Sequence, residues 1–381
     1  MGARGRVGAR WGALGRVGAH GGALGRVGAR LGALGFMSIC TIEQLENRIS
    51  LTSEEKAWKE GPLSLPLLIT DYYMNLIDES DVNDPLRRQV VPSSRENTLG
   101  LLEDPDPLSE LANSKTGRLI HRYESRAAFL ATDICAQYCR HCFRRRFTGN
   151  MQGPASRQEV LDAAGYLAEN TKIKELLLTG GDPLTLSDQA LDEMICLLRQ
   201  ARPDLIIRIC TRMVAVQPSR ITDSLMDVFK KHNSAPFYLM VQFNHPRELT
   251  KEAVEACAKF IDAGIPAMNQ SVLLRGVNDN ADVLEELCNA LVFARIKPYY
   301  LFQGDLVSGT SSFRVPLEKG LEIERELRRR LSGLAMPVYA ADLPQGGGKV
   351  PLCGSYIEGF ENGIWTFRTL EGEKRSYPDP Q

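Results

Sequence analysis

The sequence has no long apolar run. No stretch approaches the roughly 20 apolar residues that a membrane-spanning helix needs, and the N-terminus has no apolar signal-peptide core. It has almost no net charge either. The 46 basic and 47 acidic residues leave a formal charge of -1, so no whole-chain field draws the protein to nucleic acid or to an anionic membrane. A disulfide framework is also missing, because nine cysteines is an odd count and three of them crowd into residues 135–142. These absences predict a cytoplasmic protein with small-molecule partners, in a compartment that keeps thiols reduced and free to bind a metal.

Residues 1–36 lack any acid. They contain twelve glycines and six arginines, and repeat GRVGA with a ten-residue period through Arg6, Arg16 and Arg26. Such a stretch cannot build a core. A basic RNA-touching arm or an organellar presequence would fit the arginines, although a presequence normally carries serine and this stretch has none. The composition fits a translated tandem repeat ahead of a start at Met37, outside the native fold. Without it the remaining 345 residues hold 40 basic and 47 acidic side chains, a net charge of -7.

Residues 37–120 read as a helical N-terminal region, with SLTSEEKAWKEG and LITDYYMNLIDESD as helical runs and no catalytic cluster. From 121 to 340 the pattern changes. Six apolar runs (AAFLAT, ELLLTG, LIIRICT, PFYLMVQF, PAMNQSVLL, KPYYLF) alternate with amphipathic stretches near 157–169, 187–201, 218–232, 249–263 and 281–294. Strands alternating with helices predict a parallel sheet of the α/β class, and six strands suggest an incomplete (β/α)6 barrel with its chemistry at the carboxyl ends. Residues 341–381 form a short C-terminal extension.

Just past the first run, Cys135, Cys139 and Cys142 make a C-x3-C-x2-C loop. Three thiolates so close ligate a metal more often than they pack as core. Zinc is one reading, with His141 as a fourth ligand. The other is a 4Fe-4S cluster whose fourth iron stays open to bind substrate or cofactor. After the second run come Gly180, Gly181, Asp182 and Pro183, where glycines let a ligand approach the backbone and a carboxylate can accept from an amine.

The two motifs together resemble the radical S-adenosylmethionine (radical SAM) superfamily. The resemblance implies that the open iron chelates SAM and that the reduced cluster cleaves it to a 5'-deoxyadenosyl radical. HRYESR (121–126), CAQYCRHC (135–142), FNHPRE (243–248), NQSVLLRGVNDN (269–280), KPYY (297–300) and DLPQGGGKVP (342–351) narrow it to the lysine 2,3-aminomutases, from about Pro62 to Pro351. His141 stands where most of the superfamily has an aromatic residue, as in that subgroup.

The family match implies most of the remaining site. Lys349, after three glycines, is its pyridoxal 5'-phosphate (PLP) lysine, and Val350 in place of Ser or Thr argues against a phosphate-binding P-loop. Taken alone, Lys349 would be a solvated loop lysine. Arg122, Tyr123 and Arg126 fall on the family's PLP-phosphate segment, since guanidinium groups suit a dianion; otherwise they would be a solvated basic edge. Gly180, Gly181, Asp182 and Gln270 fall among the cofactor contacts. Arg144 matches the arginine that meets the substrate α-carboxylate, with Arg145 and Arg146 as solvated or structural neighbours. Asp305 and Asp342 match the two carboxylates that meet the far ammonium of lysine. At an effective dielectric near 20, each contributes on the order of several kcal/mol of attraction before desolvation, and a glutamate side chain would be repelled.

The implied activity is therefore interconversion of L-lysine and L-β-lysine, with arginine or another amino acid as an alternative substrate and a non-catalytic cluster- or lysine-binding protein as the alternative class. A flavodoxin or ferredoxin would supply the electron. Two departures stand out. Gln242 precedes FNHP where the family usually has His. Asn280 occupies the first position of an interchain zinc site used by some members, and no cysteine follows Cys353, so any homo-oligomer would form without that zinc. Cys40, Cys196, Cys210, Cys257, Cys288 and Cys353 have no paired spacing, which suits buried structural thiols.

Overall fold

The computed structural model describes residues 37–61, 64–150 and 152–379; the repeat of residues 1–36 lies outside the described residues. A nine-stranded sheet organises most of the rest, its strands side by side in chain order. They are β1 (Leu119–Tyr123), β2 (Arg126–Thr132), β3 (Glu175–Gly180), β4 (Ile206–Thr211), β5 (Phe237–Val241), β6 (Ala267–Leu273), β7 (Ile296–Gln303), β8 (Val338–Leu343) and β9 (Gly348–Pro351). Strands β2 to β8 pair in parallel, whereas β1 on β2 and β9 on β8 are antiparallel. Helices α1 (Arg157–Glu169), α2 (Asp188–Ala201), α3 (Asp223–Lys231), α4 (Lys251–Asp262), α5 (Ala281–Phe293) and α6 (Leu317–Arg330) link successive parallel strands. The six β/α units match the expected incomplete barrel, and β1 and β9 remain separate edges.

Local chemistry starts the helices where it should. Ser156, Ser187, Thr222, Thr250 and Asn280 each accept a hydrogen bond from the backbone N–H three residues on, and Ser156 with Glu159 completes a capping box. Asn280 is therefore a helix cap. The 218–232 stretch starts later than its periodicity suggests, because Pro218–Arg220 is a 3-10 turn ahead of α3.

The N-terminal region is less helical than expected. Its helices, Ile42–Glu46, Ser53–Lys56, Asp71–Met74 and Pro85–Val90, are too short to persist alone. Burial holds them. Leu45, Tyr73, Leu86 and Val90 lie in one apolar cluster with Leu176, Ile207 and Leu239 of the barrel strands, so this region completes the barrel's core. Polar anchors reinforce it: Arg87, 1% exposed, donates to Glu55 at 2.9 and 2.6 Å.

The C-terminal extension divides in two. After β9, strands β10 (Ile357–Glu361), β11 (Ile364–Arg368) and β12 (Lys374–Pro378) form a separate antiparallel sheet. No helix among the described residues is long and apolar enough to cross a membrane.

Candidate active site

Every residue singled out above as a site candidate lines one cavity of about 450 Å³. It has a cysteine end and a lysine end.

The cysteine end grows from the loop after β2. Arg212, directly after β4, donates from Nη1 to Cys139 Sγ at 3.0 Å and from Nη2 to Gln89 Oε1 at 2.9 Å, and it pairs with the fully buried Glu248. Glu248 also accepts from the Tyr73 hydroxyl at 2.6 Å and from the Asn244 and His245 amides at 2.6 and 3.0 Å. Burial pushes the thiols of Cys135, Cys139 and Cys142 above their ordinary range, and a coordinating metal deprotonates such thiols outright. Among the described residues, no three His, Cys, Asp or Glu side chains converge on a single-ion site. Beside the loop, His141 Nδ1 and both polar atoms of the Gln137 side chain are buried without a partner, as groups awaiting a polar ligand would be. Gln242 lies against His141, with 3.4 Å between its Nε2 and the ring Nε2.

Two features at this end also serve the fold itself. Gly180 and Gly181 line the cavity, but their missing side chains make room for the chain itself. A Cβ on Gly180, which has φ +111°, would sit 2.4 Å from the Thr132 carbonyl, and one on Gly181 would sit 2.2 Å from that of Ile134. These glycines let β3 dock on the cysteine loop. Asp182 is likewise engaged: its oxygens accept from the Thr211 hydroxyl (2.8 and 2.9 Å), the Arg212 amide (2.8 Å) and the Leu184 amide (3.0 Å). Its carboxylate ties the end of β3 to that of β4.

The lysine end is built by the β8–β9 hairpin, which sets Asp342 opposite Lys349. Gly346 and Gly348 have φ +77° and +83°, so the tight bend does need glycine. Lys349 Nζ donates to Asp342 Oδ2 at 2.5 Å and lies 3.8 Å from the centre of the Phe302 ring. Asp342 Oδ1 accepts from Arg122 Nη2 at 2.7 Å and from the Tyr123 hydroxyl at 3.2 Å. Arg122 also contacts Tyr123 itself, and Arg126 lies 3.7 Å over the Tyr123 ring. Arg122 and Tyr123 sit on β1, a strand the apolar pattern did not reveal, and Arg126 opens β2.

Electrostatics separate the two aspartates. Burial, and then the charge of Asp342, push the Asp305 carboxyl up to about 7. Burial also raises Asp342, but Lys349 and Arg122 outweigh it and hold this carboxyl below its ordinary value. Burial pulls the Lys349 ammonium down against the opposing pull of Asp342. An amine so placed, half-buried and easier to deprotonate, fits PLP attachment.

Arg144 also lines the cavity. Glu110 grips it through Nη2 at 2.7 Å and Nε at 3.1 Å, and its Nη1 donates to Thr179 Oγ1 at 2.9 Å. Arg145 is a structural neighbour paired with Glu96 at 2.6 Å, and Arg146 pairs with Asp106 at 3.1 Å. Glu110, Thr179, Arg212 and Glu248 were not foreseen. Arg212 could have been found, since it sits at the carboxyl end of a parallel strand; Glu110 sits in a loop with no such signal. Cys40, Cys196 and Cys210 are only partly buried and Cys353 is exposed, so of these six cysteines only Cys257 and Cys288 fit the buried structural reading; Cys210 also lines the cavity.

Comparison with known proteins follows the same division. Residues 129–287, including the cysteine loop, match the family model of the radical SAM superfamily. Residues 323–381, including Lys349, match a model described as lysine-2,3-aminomutase. L-lysine 2,3-aminomutase of Clostridium subterminale is 41% identical over 344 residues, covering 89% of this chain and 82% of that protein. The enzyme of the same name from Acetoanaerobium sticklandii is 41% identical over 89% of this chain and 82% of its own length. A glutamate 2,3-aminomutase from Clostridioides difficile is 38% identical, with 88% and 79% covered. The chain belongs to the lysine 2,3-aminomutase family of radical SAM isomerases.

Proposed function

We propose that the chain moves the α-amino group of L-lysine to carbon 3, giving L-β-lysine. The observation that carries this reading is the pairing of Asp305 and Asp342 at one end of a cavity that also holds Arg144. A diamino acid has a carboxylate for one end and an ammonium for the other. The glutamate side chain would face two aspartates, and alanine would leave them unpaired.

A member of this family works with a 4Fe-4S cluster, SAM and PLP. In this chain Cys135, Cys139 and Cys142 would hold the irons, and the cavity wall at Gly180, Gly181, Asp182 and Gln270 would flank SAM. Lys349 would hold PLP, with Arg122, Tyr123 and Arg126 around its phosphate. Together the cofactors supply a carbon-centred radical and an electron sink for nitrogen migration. The protein's own residues do the rest. Arg144 orients the carboxylate, the aspartates fix the ammonium, and Asp342 keeps a cationic Lys349 in place when its amine is free. Phe302 and Met240 add apolar surface to the cavity wall, which would limit water in the site.

The same reading separates four regions: the repeat 1–36, the N-terminal layer 37–120, the partial barrel 121–340 and the PLP-lysine segment 341–381. It places the enzyme in the cytoplasm, with a flavodoxin or ferredoxin as electron donor and any homo-oligomer free of an interchain zinc. The test is to incubate reduced, anaerobic enzyme with SAM, PLP and each of lysine, arginine, glutamate and alanine, and to identify the β-amino acids formed. Faster turnover of glutamate or alanine than of lysine rejects the two-aspartate reading. A win for arginine keeps the charge logic and changes only the pocket length.

A further inference from the structure

Glu110 is a buried carboxylate to which the reading above gives no task. It is carried on a strap of residues 104–111 that spans both ends of the site. Arg146 Nε meets Asp106 Oδ1 at 3.1 Å, Arg122 Nη1 donates to the Leu108 carbonyl at 3.1 Å, and the Gln345 amide donates to the Pro107 carbonyl at 3.1 Å. The strap thus joins the cysteine loop, the arginine strand and the lysine hairpin. Glu110 itself is 7% exposed and lines the cavity.

A donor count shows what it does to Arg144. A guanidinium has five N–H groups. Nε donates to both Glu110 oxygens at 3.1 Å, Nη2 donates to Oε1 at 2.7 Å, and Nη1 donates to Thr179 Oγ1 at 2.9 Å. One N–H on Nη1 and one on Nη2 are left over. A carboxylate binds a guanidinium best through two N–H groups at once, and the unused pair lies on the two terminal nitrogens. Glu110 has taken the Nε–Nη2 side of the fork, and Thr179 one N–H of Nη1.

We infer that Glu110, assisted by Thr179, is a positioning residue that locks the Arg144 fork so that its two spare N–H groups meet the α-carboxylate of the substrate. An arginine without these partners would have to be ordered by the substrate itself, at a cost in binding. The rival role for Glu110 is to brace the strap through Arg146, which it meets at 3.2 Å. The inference rests on the proposed function only in taking an α-amino acid as substrate, so it holds for lysine, arginine or glutamate alike.

The experiment uses the fully loaded enzyme and whichever amino acid the wild type prefers; that preference judges the substrate reading separately. Glu110→Gln keeps the shape and removes the charge. KM should rise about 10- to 100-fold while kcat stays within about threefold, the loss expected for a charge-assisted bond that acts in binding. Inhibition by the corresponding amino-acid amide, which lacks the carboxylate charge, should shift by less than about twofold. In an Arg144→Gln background the same substitution should add less than about twofold, because the interaction is already gone. Arg146→Gln, which cuts the strap's ion pairs through Asp106 and Glu110, should leave KM within about twofold. Should Glu110→Gln fail to fold, Thr179→Val reads the same fork from its other side, with KM expected to rise about fivefold. Equal losses in both Arg144 backgrounds, equal effects on acid and amide, or an unchanged KM would each overturn the assignment in favour of simple bracing.

Discussion

The two ends of the cavity are built on different principles. At the cysteine end the charged groups are interlocked and dry: Glu248 has no exposed side-chain surface and Arg212 only 8%, and segments from before β1 to after β5 converge on them. At the lysine end the groups are wetter, with side-chain exposures of 13% for Arg122 and Asp342 and 20% for Lys349. A group that must change partners during a reaction cannot be tied down as a group that only holds a cluster can. The cysteine end is a fixed mount, whereas the lysine end is a set of exchangeable ion pairs.

The largest effects should come from dividing the ends chemically. Cys139→Ala should abolish SAM cleavage while PLP absorbance is retained, and Lys349→Ala should lose the PLP band while iron content stays unchanged. Comparable SAM cleavage by Cys139→Ala would remove the cluster assignment. Loss of both cofactors from either variant would show that the ends fold as one unit.

Next come the exchangeable pairs. Asp305→Asn or Asp342→Asn should each lower kcat/KM for lysine by about two to four decades, because an underpaired buried ammonium costs roughly 3 to 5 kcal/mol. Asp342→Asn should also loosen PLP, since it removes the acceptor of both Lys349 and Arg122; Asp305→Asn should not. Equal PLP loss in both variants would mean that the aspartates act as one site. Arg144→Lys should harm lysine turnover too, because a point charge cannot replace a two-pronged donor.

These two ends also differ in how far they could be read from the sequence. The cysteine loop is contiguous, so spacing alone reveals it. The lysine end draws Arg122, Asp305, Asp342 and Lys349 from three separate places in the chain, and only resemblance to a family assembled them. Apolar runs located β2 to β7, whose faces are buried by helices. They missed β8, where VYAADL is only partly apolar, and β1 and β9, whose half-buried edges carry the cavity's polar groups. The glycines of GGDP have a second task that the motif does not show, since the Thr132 and Ile134 carbonyls approach them closely. Glu110 was illegible because its only mark is a partner 34 positions away.

A smaller effect is predicted in pH. The folded Asp305 carboxyl titrates at about 7, against roughly 3.9 for an unfolded aspartate. Between those values the folded chain keeps a proton that the unfolded chain has released, so stability contributed by this group is present below about pH 4 and lost as pH rises through 7. The groups acting on it are Asp342, Lys349, Arg122 and Glu110. Thermal midpoints of the cofactor-free protein should therefore fall more steeply from pH 5 to 7.5 than those of Asp305→Asn. The substrate ammonium needs the ionised form, so KM for lysine should improve over the same range. Parallel slopes for the two proteins would show that Asp305 is already ionised and that the lysine end is as fixed as the other.

The smallest effect concerns what lies outside both ends. Every residue assigned to either end falls between Tyr73 and Lys349, and among the described residues the apolar cluster beneath them begins at Ile39. Residues 1–36 contain no acid and no core-forming pattern. A chain beginning at Met37 should therefore bind iron and PLP and turn over lysine within about twofold of the full chain. A larger drop would mean that the arginine-rich repeat serves one end. The cofactor that falls with it would say which: lost iron would place it at the cysteine mount, and lost PLP at the exchangeable pairs.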